Sequence, residues 1–449
     1  MSLDEIRARV AAGMPRTIAD LERLVRIPSK GYEGDDPANV RASAEATRDI
    51  LRDAGVENAR LLELDGGHPA VFGQVSGPDG APTVLLYAHH DVQPEGPLDQ
   101  WDSAPFEPEV RDGRLFGRGA ADDKCGVAIH AAALRALDGD VPITIKLLIE
   151  GEEECSTAHL PELIQGNADL IRSDVAVIAD SGNYRNGVPT ITSSIRGVTD
   201  CVVEVRVLDQ AQHSGSFGGP VPDAITALAR IISKLHDDDG NVAIPGLRRS
   251  AWQGAEYPEE EFRSEAGTVP GLRTIGTGSI ADLVWAGPAV SVLGIDAPAI
   301  HGSSNQIVPV ARARVSLRLA PGDDAVEATT KLVTFLREAA PWGVEVTIEG
   351  GAFDAGQGYI VDTSGPALHA ARDALAEAYG ADVMEMGSGG SIPLVPMLAD
   401  TFPGIAVLLW GAADERSNVH SVNESVDLAE IERMAVAEAM FIRKLAGHT

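Results

Sequence analysis

Thr83-Val-Leu-Leu-Tyr-Ala-His-His-Asp91 is the stretch from which the fold is read. A short apolar run stops abruptly on two imidazoles and a carboxylate. Two further runs behave alike: Ile143-Thr-Ile-Lys-Leu-Leu-Ile149 leads into Glu150-Gly-Glu-Glu-Glu154, and Val175-Ala-Val-Ile-Ala179 leads into Asp180-Ser181. Apolar runs of this length, bounded by Gly, Pro and Asp, predict buried strands of a mixed or parallel sheet. A helix over 126–137 supplies a crossover between the first two.

Each run ends in side chains with chemistry. Ligands of open α/β sheets bind beyond the carboxyl ends of the strands. His89, His90 and Asp91, the acids of Glu150–Glu154 and Asp180 would therefore gather at one edge, where the carboxylates' mutual repulsion is costly without a cation. Gly117-Arg-Gly-Ala-Ala-Asp122-Asp123-Lys124 opens the crossover helix and adds carboxylates at the same edge. An imidazole among several carboxylates suits Zn²⁺, Mn²⁺ or Co²⁺. Taken singly, each motif has an ordinary reading: a hydrogen-bonded His-Asp pair, a solvated helix start, a charged face. Their shared placement after buried strands favours a metal centre.

Composition narrows the field. In 449 residues, Asp and Glu number 67 against 36 Lys and Arg, a net charge of −31. That surplus argues against a nucleic-acid surface or an anionic membrane, both of which need clustered cations. With 44% hydrophobic residues the chain can build large cores. Cys125, Cys155 and Cys201 cannot all pair, which points to a reducing compartment. No apolar leader or membrane-length run is present, so a soluble cytoplasmic protein is expected.

The rest of the chain divides in its pattern. Helical spacing marks 3–26 and 37–54. After Ser193 come a strand at 198–208, a helix at 223–235, an irregular polar insert to about 278, strands at 290–295 and 311–319, a helix at 325–339 and a strand at 344–348. This β-α-β-β-α-β order is ferredoxin-like. Arg312, Arg314 and Arg318 alternate with apolar residues and so share one strand face. A helix at 366–379, a Gly-rich loop, a strand at 405–409 and a helix at 427–445 close the chain. The expected layout is a mixed-sheet α/β catalytic domain, 1–193 with 355–449, into which an α+β domain, 194–354, is inserted.

Tyr87-Ala-His-His-Asp-Val-Gln-Pro94, Gly117–Lys124, Glu150–Glu154, Asp180-Ser181, His213-Ser-Gly-Ser-Phe-Gly-Gly219, Gly389-Gly-Ser-Ile-Pro393 and His420 occur in an order that resembles one family. It is the co-catalytic-metal peptidase family of carnosine and cytosolic non-specific dipeptidases, carboxypeptidase G-type enzymes, aminoacylases and desuccinylases. Asp-Val-Gln-Pro and Gly-Gly-Ser-Ile-Pro resemble the dipeptidase branch. The resemblance implies a zinc-peptidase-like α/β/α catalytic domain with an inserted lid and dimerisation domain. It also implies two divalent ions, Zn²⁺ foremost with Mn²⁺ or Co²⁺ as alternatives, bridged by Asp122. His89 and Asp180 would complete one site, Glu154 and His420 the other. Asp91 would orient His89, Glu153 would be the general base for a metal-bound hydroxide, and His213 would reach the partner's active site in a homodimer to stabilise the oxyanion. Arg318 would hold the substrate's C-terminal carboxylate, Ser391 with the N–H groups of Gly389 and Gly390 would receive the same carboxylate or the peptide oxygen, and Asn305 and Gln306 lie near positions that help bind substrate. A cis peptide at Asp122–Asp123 is also implied.

The sequence departs from the family pattern at Cys125, Cys155 and Ala88, and has an extra imidazole in His90; the cysteines are read as packing residues. The expected activity is hydrolysis of dipeptides or short peptides with a free C-terminal carboxylate. An N-acyl-amino-acid amidohydrolase or carboxypeptidase, and a non-catalytic metal-binding protein, are the competing expectations.

Overall fold

The computed structural model describes residues 1–350 and 355–447, so the expected domain junction at 354/355 lies beside residues outside the described set. The described chain forms two compact units: 1–193 with 361–386 and 397–449, and 194–360 with 387–396.

The first unit is built on a six-stranded mixed sheet. In spatial order its strands are Arg60–Leu62, Ala70–Val75, Thr144–Glu150, Thr83–His89, Val175–Ile178 and Ala406–Leu409. The last four run parallel, and the register sets His89 opposite Glu150 and Tyr87 opposite Ile178. The carboxyl ends of three chemically loaded strands therefore align at one edge. Val84, Leu85, Leu86 and Tyr87 are fully buried, each burial stabilising by ~1.5–3 kcal/mol. Helices Leu3–Val25, Lys124–Leu137, Pro366–Tyr379 and Leu428–Leu445 pack on one another around this core.

The helix Lys124–Leu137 begins where its chemistry requires. Asp123 caps it, accepting the Gly126 N–H at 3.2 Å. The buried Lys124 ammonium donates to the carbonyls of Leu24 and Ile27, at 2.9 and 2.8 Å. Burial pushes its pKa down to about 7, and these contacts tie the first helix to the loop before the crossover.

The second unit carries an antiparallel sheet of Ala289–Asp296, Val310–Leu319, Gly197–Arg206 and Glu345–Glu349, in that order. Alternate residues of Gly197–Arg206 are buried, so one face is apolar. Helices Ala224–Ser233 and Ala325–Glu338 supply the apolar partners in its core. The chain order is β-α-β-β-α-β.

Two features differ from the sequence reading. The insert before residue 278 is not wholly irregular: it contains the helix Glu259–Glu265, and its Trp252 and Tyr257 pack edge-on and face-on against Trp285 beyond it, both at 5.2 Å. Burial of aromatic area organises a stretch whose polar composition hid it. Residues 387–396, expected with the first unit, group with the second. Their carbonyls at Ser388 and Gly390 accept the Arg196 N–H, and Gly387 faces Trp285 and Ser194.

Candidate active site

His89 ends its strand fully buried. Its Nε2 lies 2.9 Å from Asp122 Oδ1 and 4.0 Å from Asp180 Oδ1. The other Asp122 oxygen, Oδ2, lies 2.9 Å from His420 Nε2, which is itself 3.2 Å from Glu154 Oε2. One carboxylate thus faces two donor groups: His89 with Asp180, and His420 with Glu154. The donor atoms of His89, Asp122 and Glu154 fall within 4.8 Å of one another, as do those of His89, Glu153 and Asp180. The Asp122–Asp123 peptide is cis.

The surroundings hold these groups in place. Asp91 accepts the backbone N–H groups of Glu153 and Glu154, at 3.2 and 3.0 Å, and so shapes the acidic turn after Thr144–Glu150. His89 Nδ1 lies 3.2 Å from the Asp91 carbonyl and 3.5 Å from its carboxylate, so both groups of Asp91 face that imidazole. Within the acidic run, Glu150 accepts the Tyr87 hydroxyl at 2.7 Å. Glu152 accepts His68 N–H and pairs with His159 Nδ1 at 2.9 Å. Glu154 accepts Gln93 Nε2 at 2.8 Å. Among the described residues, no group hydrogen-bonds the Glu153 carboxylate.

Crowding leaves an electrostatic signature. Burial, then the charge of Asp122, pushes the Asp180 carboxyl up to about 7. Burial, with Asp180, Glu154 and Asp122 nearby, raises Glu153 well above the carboxylate range. Burial alone would lower the His420 pKa, but the hydrogen bonds it donates to Asp122 and Glu154 carry it up to about 10. Two imidazoles and four carboxylates, with His89 and Asp122 buried and one carboxylate shared, fit a pair of divalent cations. The cysteines lie outside the candidate ligand groups: Cys125 Sγ contacts the Ala121 carbonyl, and Cys155 Sγ the Glu152 carbonyl. His90 turns its Nε2 to the Pro69 carbonyl at 3.0 Å, and burial pushes it down to about 4.

The remaining expected residues lie in the second unit. Arg312 pairs with Glu349 at 2.6 Å, and Arg314 Nε donates to Asp200 at 2.6 Å. Arg318 alone of the three faces no carboxylate among the described residues; its NH1 donates to Ser391 Oγ at 3.3 Å. The Gly390 N–H donates to Ser388 Oγ at 3.1 Å, closing a short turn. His213 is exposed in the short strand Gln212–His213, paired in register with Gln306. Sequence reasoning passed over Gln93, Tyr32 (whose hydroxyl donates to the Glu154 carbonyl at 2.6 Å) and Arg196 (whose Nε donates to the Gly389 carbonyl at 3.2 Å). Gln93 lay inside the quoted Asp-Val-Gln-Pro motif; nothing local marks the other two.

The sequence profile of Peptidase family M20/M25/M40 matches residues 85–444. A cysteinylglycine-S-conjugate dipeptidase of Corynebacterium striatum is 38% identical over 401 residues, covering 87% of each chain. Two solved structures share the fold. Human carnosine dipeptidase 1 superposes with a TM-score of 0.85 at 23% identity, over 100% of this chain and 99% of that one. The di-peptidase Dug1p of Saccharomyces cerevisiae gives 0.84 at 22%, over 99% of both.

Proposed function

We propose, for a chain that belongs to peptidase family M20/M25/M40, that it hydrolyses dipeptides with a free C-terminal carboxylate at a two-cation centre. The observation that carries this reading is the Asp122 carboxylate, with one oxygen facing His89 and the other His420. His89, Asp180 and Asp122 would hold one cation, and His420, Glu154 and Asp122 the other. Zn²⁺ is the foremost candidate, with Mn²⁺ and Co²⁺ as alternatives. When bound, such a pair supplies Lewis acidity and lowers the pKa of water. Glu153, uncommitted in its turn, takes the proton of the attacking water and passes it to the leaving amine nitrogen. Asp91 fixes the backbone of that turn, and Gln93 orients Glu154.

Arg318 and Ser391 are proposed to anchor the substrate carboxylate, because Arg318 is the strand cation without an acidic partner among the described residues. A planar guanidinium suits a carboxylate in a bidentate fork. The test is a substrate panel: free dipeptides, including carnosine and cysteinylglycine S-conjugates, against N-acetyl, N-succinyl and C-terminally amidated analogues. Free dipeptides are expected to be cleaved best; preference for blocked amines would move the assignment to an N-acyl-amino-acid amidohydrolase. In Arg318→Met, KM for free dipeptides should rise roughly 10- to 100-fold, matching one or two charge-assisted hydrogen bonds. The amidated analogue should be unaffected. Equal losses on both would remove the carboxylate role.

A homodimer formed through the second unit is also proposed. Ala289–Asp296 is an edge strand there, with Leu293 and Ile295 more than half exposed, and an apolar edge invites pairing. His213 would then serve the partner's oxyanion. Ile295→Lys is expected to elute as a monomer in light-scattering chromatography and to lose turnover; a monomer of full activity would remove the cross-subunit role. The three free thiols support a cytoplasmic setting. Among the described residues no helix is long and apolar enough to cross a membrane.

A further inference from the structure

Glu424 joins the loop that carries Asp122 to the segment that carries His420. Its side chain is fully buried. Oε1 accepts the backbone N–H groups of Ala121 and Asp122, at 2.9 and 3.1 Å. Oε2 accepts Gly119 N–H at 2.9 Å and Arg118 NH1 at 2.7 Å. The Glu424 carbonyl accepts Gly117 N–H at 2.9 Å. Five of the six residues 117–122 thereby donate to Glu424. His420 stands four positions earlier on the same segment, at a positive φ of 62°, with Nε2 on Asp122 Oδ2. Arg118 fastens that segment a second time, donating to the Ser421 carbonyl at 3.0 Å.

The plainer reading is a buried Arg118–Glu424 ion pair that contributes only to stability. It does not account for the other donors. Three of the four groups on the carboxylate are loop amides, and one is the amide of Asp122 itself. A charge partner for Arg118 needs none of them. We propose that Glu424 is a positioning residue, which sets the bridging Asp122 against His420 so that one carboxylate serves two cation sites. This rests on the two-cation reading given above. Groups that orient ligands in this way account for roughly 10- to 100-fold in metal affinity.

Glu424→Gln tests it. The amide keeps the shape but turns an NH₂ group toward one pair of donors, so two of the four lose their acceptor. Zinc is titrated into cation-free protein against a chromophoric chelator. Wild-type protein should take up two equivalents; fewer would overturn the two-cation reading before any variant is made. Folded E424Q should bind at least one equivalent roughly 10- to 100-fold more weakly, with kcat falling in parallel. His130→Gln is the control, because it disturbs the fully buried His130–Glu438 contact of the same unit, at 2.9 Å. H130Q should melt earlier yet bind zinc as wild type does. Two equivalents at wild-type affinity in E424Q, or an equal affinity loss in H130Q, would overturn the proposal. If E424Q does not fold, Glu424→Asp retains the charge with a shorter reach, and wild-type affinity there would overturn it equally.

Discussion

Glu153→Ala protein is expected to retain its full complement of cations while kcat falls by roughly 10²–10⁴-fold, the usual contribution of a positioned general base. The expectation rests on a contrast within one turn. Glu150, Glu152 and Glu154 are each committed to named partners, at 2.7, 2.9 and 2.8 Å. Glu153 is held through its backbone by Asp91 at 3.2 Å. Its carboxylate is left beside His89 and Asp180. That proximity also fits a ligand, so metal analysis belongs in the same experiment. A ligand would be revealed by lost metal, a base by lost turnover at constant metal. Substrate KM should change little, because Glu153 acts on the water and on the leaving amine. A near-normal kcat would sink the assignment.

Asp122→Asn should have the largest effect on metal content. The substitution preserves size, but an amide presents one oxygen where the carboxylate presents two. His89 and His420, each 2.9 Å from Asp122, would then share a single acceptor. At least one cation should be lost on dialysis, with affinity down by on the order of 10²-fold or more, since even outer partners of ligands account for roughly 10- to 100-fold. Activity should fall to background. Elemental analysis beside a melting curve is the check. Two cations retained per chain would show that the carboxylate does not bridge.

Much of this centre was legible before any coordinates. His89, Glu153, Glu154 and Asp180 each follow a buried strand, and Asp122 opens a helix, so their placement is a local consequence of the chain. The helices and strands of both units appear close to where the apolar spacing put them. What was not legible depends on long-range neighbours. Glu424 and Arg118 are 306 positions apart, and Arg114 and Asp414 are 300 apart. No spacing rule reaches across such separations. The aromatic cluster around Trp285 stayed hidden for a related reason, since its rings are scattered through polar sequence.

The arginines of Val310–Leu319 mark the division most clearly. Alternation alone determined that Arg312, Arg314 and Arg318 share a face of one strand. Only the antiparallel register decided between them, placing Glu204 opposite Arg312, Asp200 diagonally across from Arg314 (opposite Ser316), and Val198 opposite Arg318. Neighbouring acids pair with the first two, whereas among the described residues the third faces none. The sequence by itself determined which side chains carry chemistry, because strand and helix periods are local properties of the backbone. The tertiary structure decided which of them meet, because pairing across hundreds of residues is set by packing.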